Sequence, residues 1–147
     1  MKLNLSLLRT LCSVPGTSGN ESAVRDFLLN HIRKAQKNWK VKPEIFYGGD
    51  FQDGLILRFG KPRTAIFAHM DTVGFTVRYN NQLVPIGSPD AEGGARLVGR
   101  DTKGEIDCEL EFDKEHHALY RFGRVIDRGT ALSYKVNFRE SKQAIES

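Results

Sequence analysis

The sequence predicts an α/β fold followed by a second, β-rich unit, and three features carry that reading. Two stretches near the N-terminus place apolar residues at three- and four-residue spacing. A short continuous apolar run, Thr64-Ala65-Ile66-Phe67-Ala68, has the pattern of a strand buried on both faces of a helix-covered sheet. Near residue 72 the chain changes to short alternating segments separated by turn residues. The expected division is therefore 1–72 for the α/β unit and 73–140 for the β-rich lobe, with 141–147 leading back toward the first unit.

Leu7, Leu8, Leu11 and Cys12 form the apolar side of a first helix of about three turns, which Pro15-Gly16 ends. In Ser18-Gly19-Asn20-Glu21 the hydroxyl and the carboxylate can satisfy each other's orphan amides as a capping box, so a second helix is expected to start there. Its apolar stripe is Val24, Phe27, Leu28, His31, Ile32 and Ala35, with Arg25, Asp26, Asn30, Arg33 and Lys34 facing away. His31 sits on the edge of that stripe with no second donor at helical spacing, and reads as a packed or capped residue. Residues 42–47 read as a strand, Gly48-Gly49-Asp50 as a turn and residues 54–59 as a second strand. Gly60-Lys61-Pro62-Arg63 breaks the pattern, and His69-Met70-Asp71 is placed at the carboxyl end of the apolar strand 64–68. In open α/β sheets, active-site groups gather at that end.

Beyond residue 72, Val73, Phe75, Val77 and Tyr79 alternate with Gly74, Thr76 and Arg78, and Asn80-Asn81 turns the chain into Leu83-Val84-Pro85-Ile86 as a hairpin. Leu97-Val98-Gly99 leads through the turn Asp101-Thr102-Lys103-Gly104 to a strand in which Ile106, Cys108, Leu110 and Phe112 alternate with Glu105, Asp107, Glu109 and Glu111. That acidic face reads as the solvated side of a half-buried sheet rather than as a cation site. Leu132, Tyr134, Val136 and Phe138 form one more alternating strand.

Composition narrows the function classes. The 147 residues are 39% hydrophobic and 27% charged. No apolar run approaches the roughly 18 residues needed to span a membrane. The start of the chain carries no signal-peptide pattern. Cys12 and Cys108 stand far apart among apolar neighbours, which suits free thiols in a reducing cytoplasm. The net charge of +4 and the cluster Arg33, Lys34, Lys37, Lys40 and Lys42 raise nucleic-acid binding. Cations at a helix C-terminus complement its dipole, however, and no aromatic interleaving accompanies them, so no nucleic-acid partner is expected.

Among candidate chemical groups, the histidine and aspartate of His69-Met70-Asp71 project to one side of an extended chain. A neutral imidazole can then bind metal while the carboxylate orients it. On spacing alone a surface histidine paired with an acid remains the better reading. Asp113-Lys114-Glu115-His116-His117 offers the right donor types for a metal, but adjacent histidines on an extended chain point to opposite faces, which favours a solvated loop. Asp90-Ala91-Glu92-Gly93-Gly94 lacks phosphate-cradling spacing and reads as a polar loop.

Read together, Pro15-Gly16-Thr17-Ser18-Gly19-Asn20-Glu21 and Ile66-Phe67-Ala68-His69-Met70-Asp71-Thr72-Val73-Gly74-Phe75 resemble the motifs of a family. It is the di-metal aminopeptidases that include glutamyl and deblocking aminopeptidases and large tetrahedral assemblies. The resemblance implies the N-terminal part of a helix-covered mixed sheet followed by an inserted β-barrel-like lobe used for oligomer contacts. It also implies two divalent metals, zinc or cobalt, and peptide hydrolysis at a free N-terminus in the cytoplasm. By resemblance His69 is a metal ligand and Asp71 a catalytic-site residue supporting it. The remaining ligands and the general base belong to a later segment of the family's sequence, so this chain alone is expected to be inactive. Thr72 departs from the pattern, since many relatives carry an acidic residue there. The alternative is a non-catalytic interaction or oligomerisation module in which His69 is vestigial.

Overall fold

The computed structural model describes residues 5–138, so the return segment expected at 141–147 lies outside the described residues. The first helix, α1, spans Leu5–Cys12 among the described residues. Its end is drawn in by its own hydroxyls: Thr10 donates to the Ser6 carbonyl at 2.9 Å and Ser13 to the Arg9 carbonyl at 2.8 Å. Such back-bonds compete with helix propagation just before Pro15 stops it.

Helix α2 spans Ser22–Ala35 and starts without the expected capping box. Glu21 sits at the cap position with no side-chain cap bond, and its carboxylate accepts instead from the Gly19 N–H at 2.8 Å. Ser18 is committed elsewhere, as described below. Val24, Leu29 and Ile32 are the buried residues of the helix. Leu29 replaces His31 on the inward stripe, and His31 is exposed. At the C-terminal end the Arg33 guanidinium lies 5.7 Å from the Tyr47 ring centroid and donates to its hydroxyl at 2.9 Å. Strands β1 (Glu44–Tyr47) and β2 (Leu55–Arg58) pair antiparallel, Glu44 opposite Arg58 and Tyr47 opposite Leu55, as a two-stranded sheet.

The strand expected at 64–68 does not form, and Ile66 and Phe67 are 95% and 90% exposed. A strand buried on both faces needs a neighbour on each edge and a covering layer on each face. Among the described residues no strand pairs with this segment, so nothing covers its apolar side chains and no ladder takes its backbone groups.

The β-rich part is a six-stranded antiparallel sheet in the order β4-β3-β8-β5-β6-β7. Its strands are β3 (Gly74–Val77), β4 (Leu83–Ile86), β5 (Arg96–Asp101), β6 (Gly104–Phe112), β7 (Ala118–Arg121) and β8 (Ala131–Tyr134). The end strands β4 and β7 meet at a bridge between Gln82 and Leu119, and the Tyr120 N–H donates to the Asn81 carbonyl at 2.9 Å. The sheet is thereby nearly closed into a barrel. Asn80 and Asn81 both adopt positive φ, 53° and 59°, which gives the tight β3–β4 turn the twist a hairpin requires. Pro85 is tolerated because β4 is a terminal strand. Strand β8 ends at Tyr134, earlier than the alternation to Phe138 suggests. The last ladder-like bond runs from the Lys135 N–H to the Arg96 carbonyl, and Val136 and Phe138 are exposed.

Inside the barrel, Leu97, Cys108, Leu110 and Leu132 are wholly buried, and Phe75 and Ile106 nearly so. Burial pushes the Cys108 thiol up to about 11. On the outer face of β6 each acid meets a cation: Arg100 with Glu105 at 2.9 Å, Arg96 and Lys135 with Asp107 at 2.6 Å each, and Arg121 with Glu109 at 2.7 Å and Glu111 at 2.5 Å. Pairs this exposed stabilise little individually.

One ion pair differs in kind. The Asp101 side chain is wholly buried and accepts two bonds from Arg124, at 2.5 and 2.8 Å, with further bonds from the Lys103 and Asp127 amides. It ties the β5–β6 turn to the loop carrying Ile126, whose own N–H donates to the Tyr120 hydroxyl at 3.0 Å.

Two stability predictions follow from these contacts. Arg124 above all, then the amides, holds the Asp101 carboxyl well below the usual carboxylate range. Its stabilising contribution is therefore complete above the ordinary aspartate pKa near 4 and is lost as pH falls toward the depressed value. Asp101→Asn should cost stability at pH 7 and a shrinking amount below about pH 4, read from urea midpoints at several pH values; an unchanged gap at low pH would refute it. At Gly74 an added Cβ would lie 2.4 Å from both the Leu132 carbonyl oxygen and the Thr17 methyl. Gly74→Ala is expected to cost about 1–3 kcal/mol, and a denaturation midpoint equal to wild type would show that the backbone yields freely there.

Candidate metal-ligand site

Two segments far apart in sequence are joined by backbone bonding. The Thr72 N–H donates to the Gly16 carbonyl at 2.7 Å, the Thr72 hydroxyl donates to the same oxygen at 3.1 Å, and Thr17 and Thr72 form a parallel bridge. The absence of a side chain at Gly16 permits this docking, because a Cβ there would fall 2.4 Å from a Val24 methyl of α2. On the other side Gly74 opens β3 directly after Thr72 and Val73. The joined loops thus lie between α2 and the barrel.

His69 and Asp71 sit on this joint. The His69 Nδ1 lies 3.0 Å from the Asp71 backbone carbonyl and 3.3 Å from its carboxylate oxygen Oδ1. Both are acceptors, so Nδ1 carries a proton, and in the neutral ring the lone pair is then on Nε2. The ring is 86% exposed. Asp71 Oδ2 accepts a bond from the Ser18 hydroxyl. That hydroxyl first, with the local backbone and His69, holds the Asp71 carboxyl below its usual range. The expected pairing of His69 with Asp71 is therefore present, although the two residues lie on an irregular loop and not at a strand end.

Ser18 was assigned to a helix cap by its spacing from Glu21, and no local signal in the sequence connects it with Asp71. The turn at Gly19, with φ of 82°, directs the chain away from cap geometry. The other candidate donors stand apart. His117 Nδ1 is 3.0 Å from the Asp113 carboxylate, which also accepts the amides of Glu115 and His117, both at 2.9 Å. This is a self-satisfied turn between β6 and β7. Among the described residues no group of three or more His, Cys, Asp or Glu side chains converges as a metal site. His69 fits a metal as one ligand, and the described residues do not complete a set of three donors around it. A cleft of about 600 Å³ opens beside β4 and the β6–β7 turn, lined by Leu83, Pro85, Phe112 and His117 among others, and it includes neither His69 nor Asp71.

No helix among the described residues is long and apolar enough to cross a membrane, and Cys12 and Cys108 are both free thiols. No family model matches the sequence. Over 79 residues, 52% of the chain and 20% of the relative, it is 34% identical to the putative aminopeptidase FrvX of Escherichia coli (strain K12). Its fold matches the solved structure of PhTET1-12s, a dodecamer in the asymmetric unit, with a TM-score of 0.71 and 17% identity over 96% of the chain and 48% of that structure's chain. The chain therefore spans about half the length of the solved structure and a fifth of the curated relative. With the two motifs docked against each other, the chain is similar in sequence to a putative aminopeptidase over about half of its own length and shares the fold of about half of the solved structure's chain.

Proposed function

We propose that this chain contributes one metal ligand and its supporting shell to a metal-dependent aminopeptidase acting on peptides with a free N-terminus. The observation that carries the reading is the convergence of the Asp71 carbonyl and carboxylate on His69 Nδ1, which leaves an exposed Nε2 lone pair. A histidine held through one nitrogen by a carboxylate or carbonyl is the usual ligand arrangement at zinc. Asp71 acts in it as the orienting base partner, not as a ligand. When bound, a pair of divalent ions, zinc or cobalt, supplies Lewis-acid polarisation of a peptide carbonyl and lowers the pKa of water. This chain's own share is to present Nε2 in the correct tautomer and to keep the carboxylate behind it.

The exposed Ile66 and Phe67 support the same proposal, because they are the side chains that further polypeptide would cover in a completed sheet. We take residues 1–72 as part of the catalytic unit and the barrel as an inserted lobe that mediates homo-oligomer contacts. The free thiols suit a cytoplasmic setting. A second reading, a non-catalytic assembly module, draws on the concentration of the buried core in the barrel.

A single imidazole makes a weak and unselective site. Titration of the isolated chain with Co²⁺ or Zn²⁺ should therefore show at most one weak equivalent, abolished by His69→Ala, and hydrolysis of aminoacyl p-nitroanilides should stay at background. Two tight equivalents with turnover would sink the proposal that the site needs further polypeptide. Weak binding that His69→Ala leaves unchanged would favour the assembly module. In a polypeptide that completes the site, Asp71→Asn should lower metal affinity about 10–100-fold, the range for loss of such an orienting partner.

A further inference from the structure

Ser18 has no role in the reading above, yet its hydroxyl is spent on Asp71 and not on the helix it precedes. We infer that Ser18 is a positioning residue for the metal-ligand site: it clamps Oδ2 of Asp71 so that Oδ1 stays against His69 Nδ1 and the imidazole presents Nε2. The inference rests on the proposed ligand role of His69 for its purpose, and on geometry alone for its content.

The geometry has three parts. The first is that the Asp71 side chain is 38% exposed, so an unclamped carboxylate there is free to swing toward water. His69 itself, 86% exposed, has no packing to fix its ring, and its orientation depends on the two Asp71 acceptors at 3.0 and 3.3 Å. The second is that the Ser18 loop is anchored independently of that bond. Thr17 is buried and bridged to Thr72, Gly16 accepts from Thr72, and the Asn20 N–H donates to the Thr17 carbonyl at 2.8 Å. A hydroxyl on an anchored loop can hold a carboxylate whose side chain is otherwise free to rotate. The third is that Ser18 is the residue the helix gave up. Helix α2 starts at Ser22 with its cap position lacking a side-chain bond, a cost that an N-cap serine would remove. Ser18 thus makes no capping bond to α2 and instead reaches Asp71, 53 residues away.

The chain of effects is specific. Ser18 fixes the carboxylate rotamer, the carboxylate adds its charge to the carbonyl in holding the proton on Nδ1, and the proton on Nδ1 keeps Nε2 a donor of its lone pair. Removing the hydroxyl should leave the fold in place, because Ser18 is exposed, and should release the tautomer.

The test is the ¹⁵N imidazole spectrum of His69 in the metal-free 147-residue chain, with the resonance assigned by its loss in His69→Gln. Wild type and Ser18→Thr should show mainly the Nδ1–H tautomer. Ser18→Ala and Ser18→Val should shift the ratio toward Nε2–H by roughly fivefold, the factor that corresponds to one hydrogen bond of ordinary strength. Thr and Val differ only by the hydroxyl at nearly constant shape, so a shift seen in Val and absent in Thr isolates the bond. Identical tautomer ratios in all four proteins would overturn the inference. So would loss of folding in both hydroxyl-free variants with Thr intact, since Ser18 would then be holding the fold. Because no metal is added, failure of His69 to bind metal in the titration above leaves this result readable on its own.

Discussion

The fold around the candidate site depends on one backbone contact, the bond from the Thr72 N–H to the Gly16 carbonyl at 2.7 Å. It joins the loop after α1 to the segment that enters β3, and everything chemical lies within a few residues of it. Gly16 and Gly74 are on either side, and at both an added Cβ would meet a neighbour at 2.4 Å. Three elements meet here: the Val24 face of α2, the bridged loops of Thr17 and Thr72, and the Leu132 part of β8. A contact so close tolerates neither side-chain bulk nor displacement, which is how a loop without regular structure can hold a carboxylate in register.

The barrel and the N-terminal helices differ in how they are stabilised. The wholly buried Leu97, Leu110 and Leu132 pack inside a nearly closed sheet, and the Asp101–Arg124 pair closes one side of it. The N-terminal part buries Val24, Leu29 and Ile32 on α2 and leaves Ile56, Phe59, Ile66 and Phe67 in contact with water. Burying a side chain of that kind contributes about 1.5–3 kcal/mol. The apolar surface left open on the first part is therefore a source of stabilisation not yet used, and part of it, Ile66 and Phe67, lies on the segment that carries His69.

Much of this was legible in the sequence because alternation and turn chemistry are local. Ile106, Cys108 and Leu110 announced β6 by their period of two, and Asn80-Asn81 announced the hairpin because asparagine accepts positive φ. The two family motifs were legible for the same reason. The failures were non-local. Thr64 to Ala68 has a composition suited to a central strand, but composition does not supply neighbours, and the segment stays open without them. Ser18 carries a sound capping signal in its spacing from Glu21, yet a carboxylate delivered by Gly16–Thr72 docking competes for the hydroxyl and wins. His31 fits a helical stripe drawn from α2 alone, whereas the surface that α2 meets selects Leu29.

The site itself follows the same division between local and delivered parts. His69 and Asp71 are two residues apart, so their mutual geometry needs only a short loop, and the tautomer follows from two acceptors facing one nitrogen. Orientation of the carboxylate needs a partner from elsewhere in the chain, and Ser18 supplies it. A metal site needs still more, since one imidazole fixes neither the position nor the identity of an ion. Each step up in chemical specificity thus requires groups from more distant sequence: two residues for a tautomer, a docked loop for a rotamer, and converging donors for a metal. The described residues complete the first two steps. Ile66 and Phe67, just before His69, are left exposed beside these two steps.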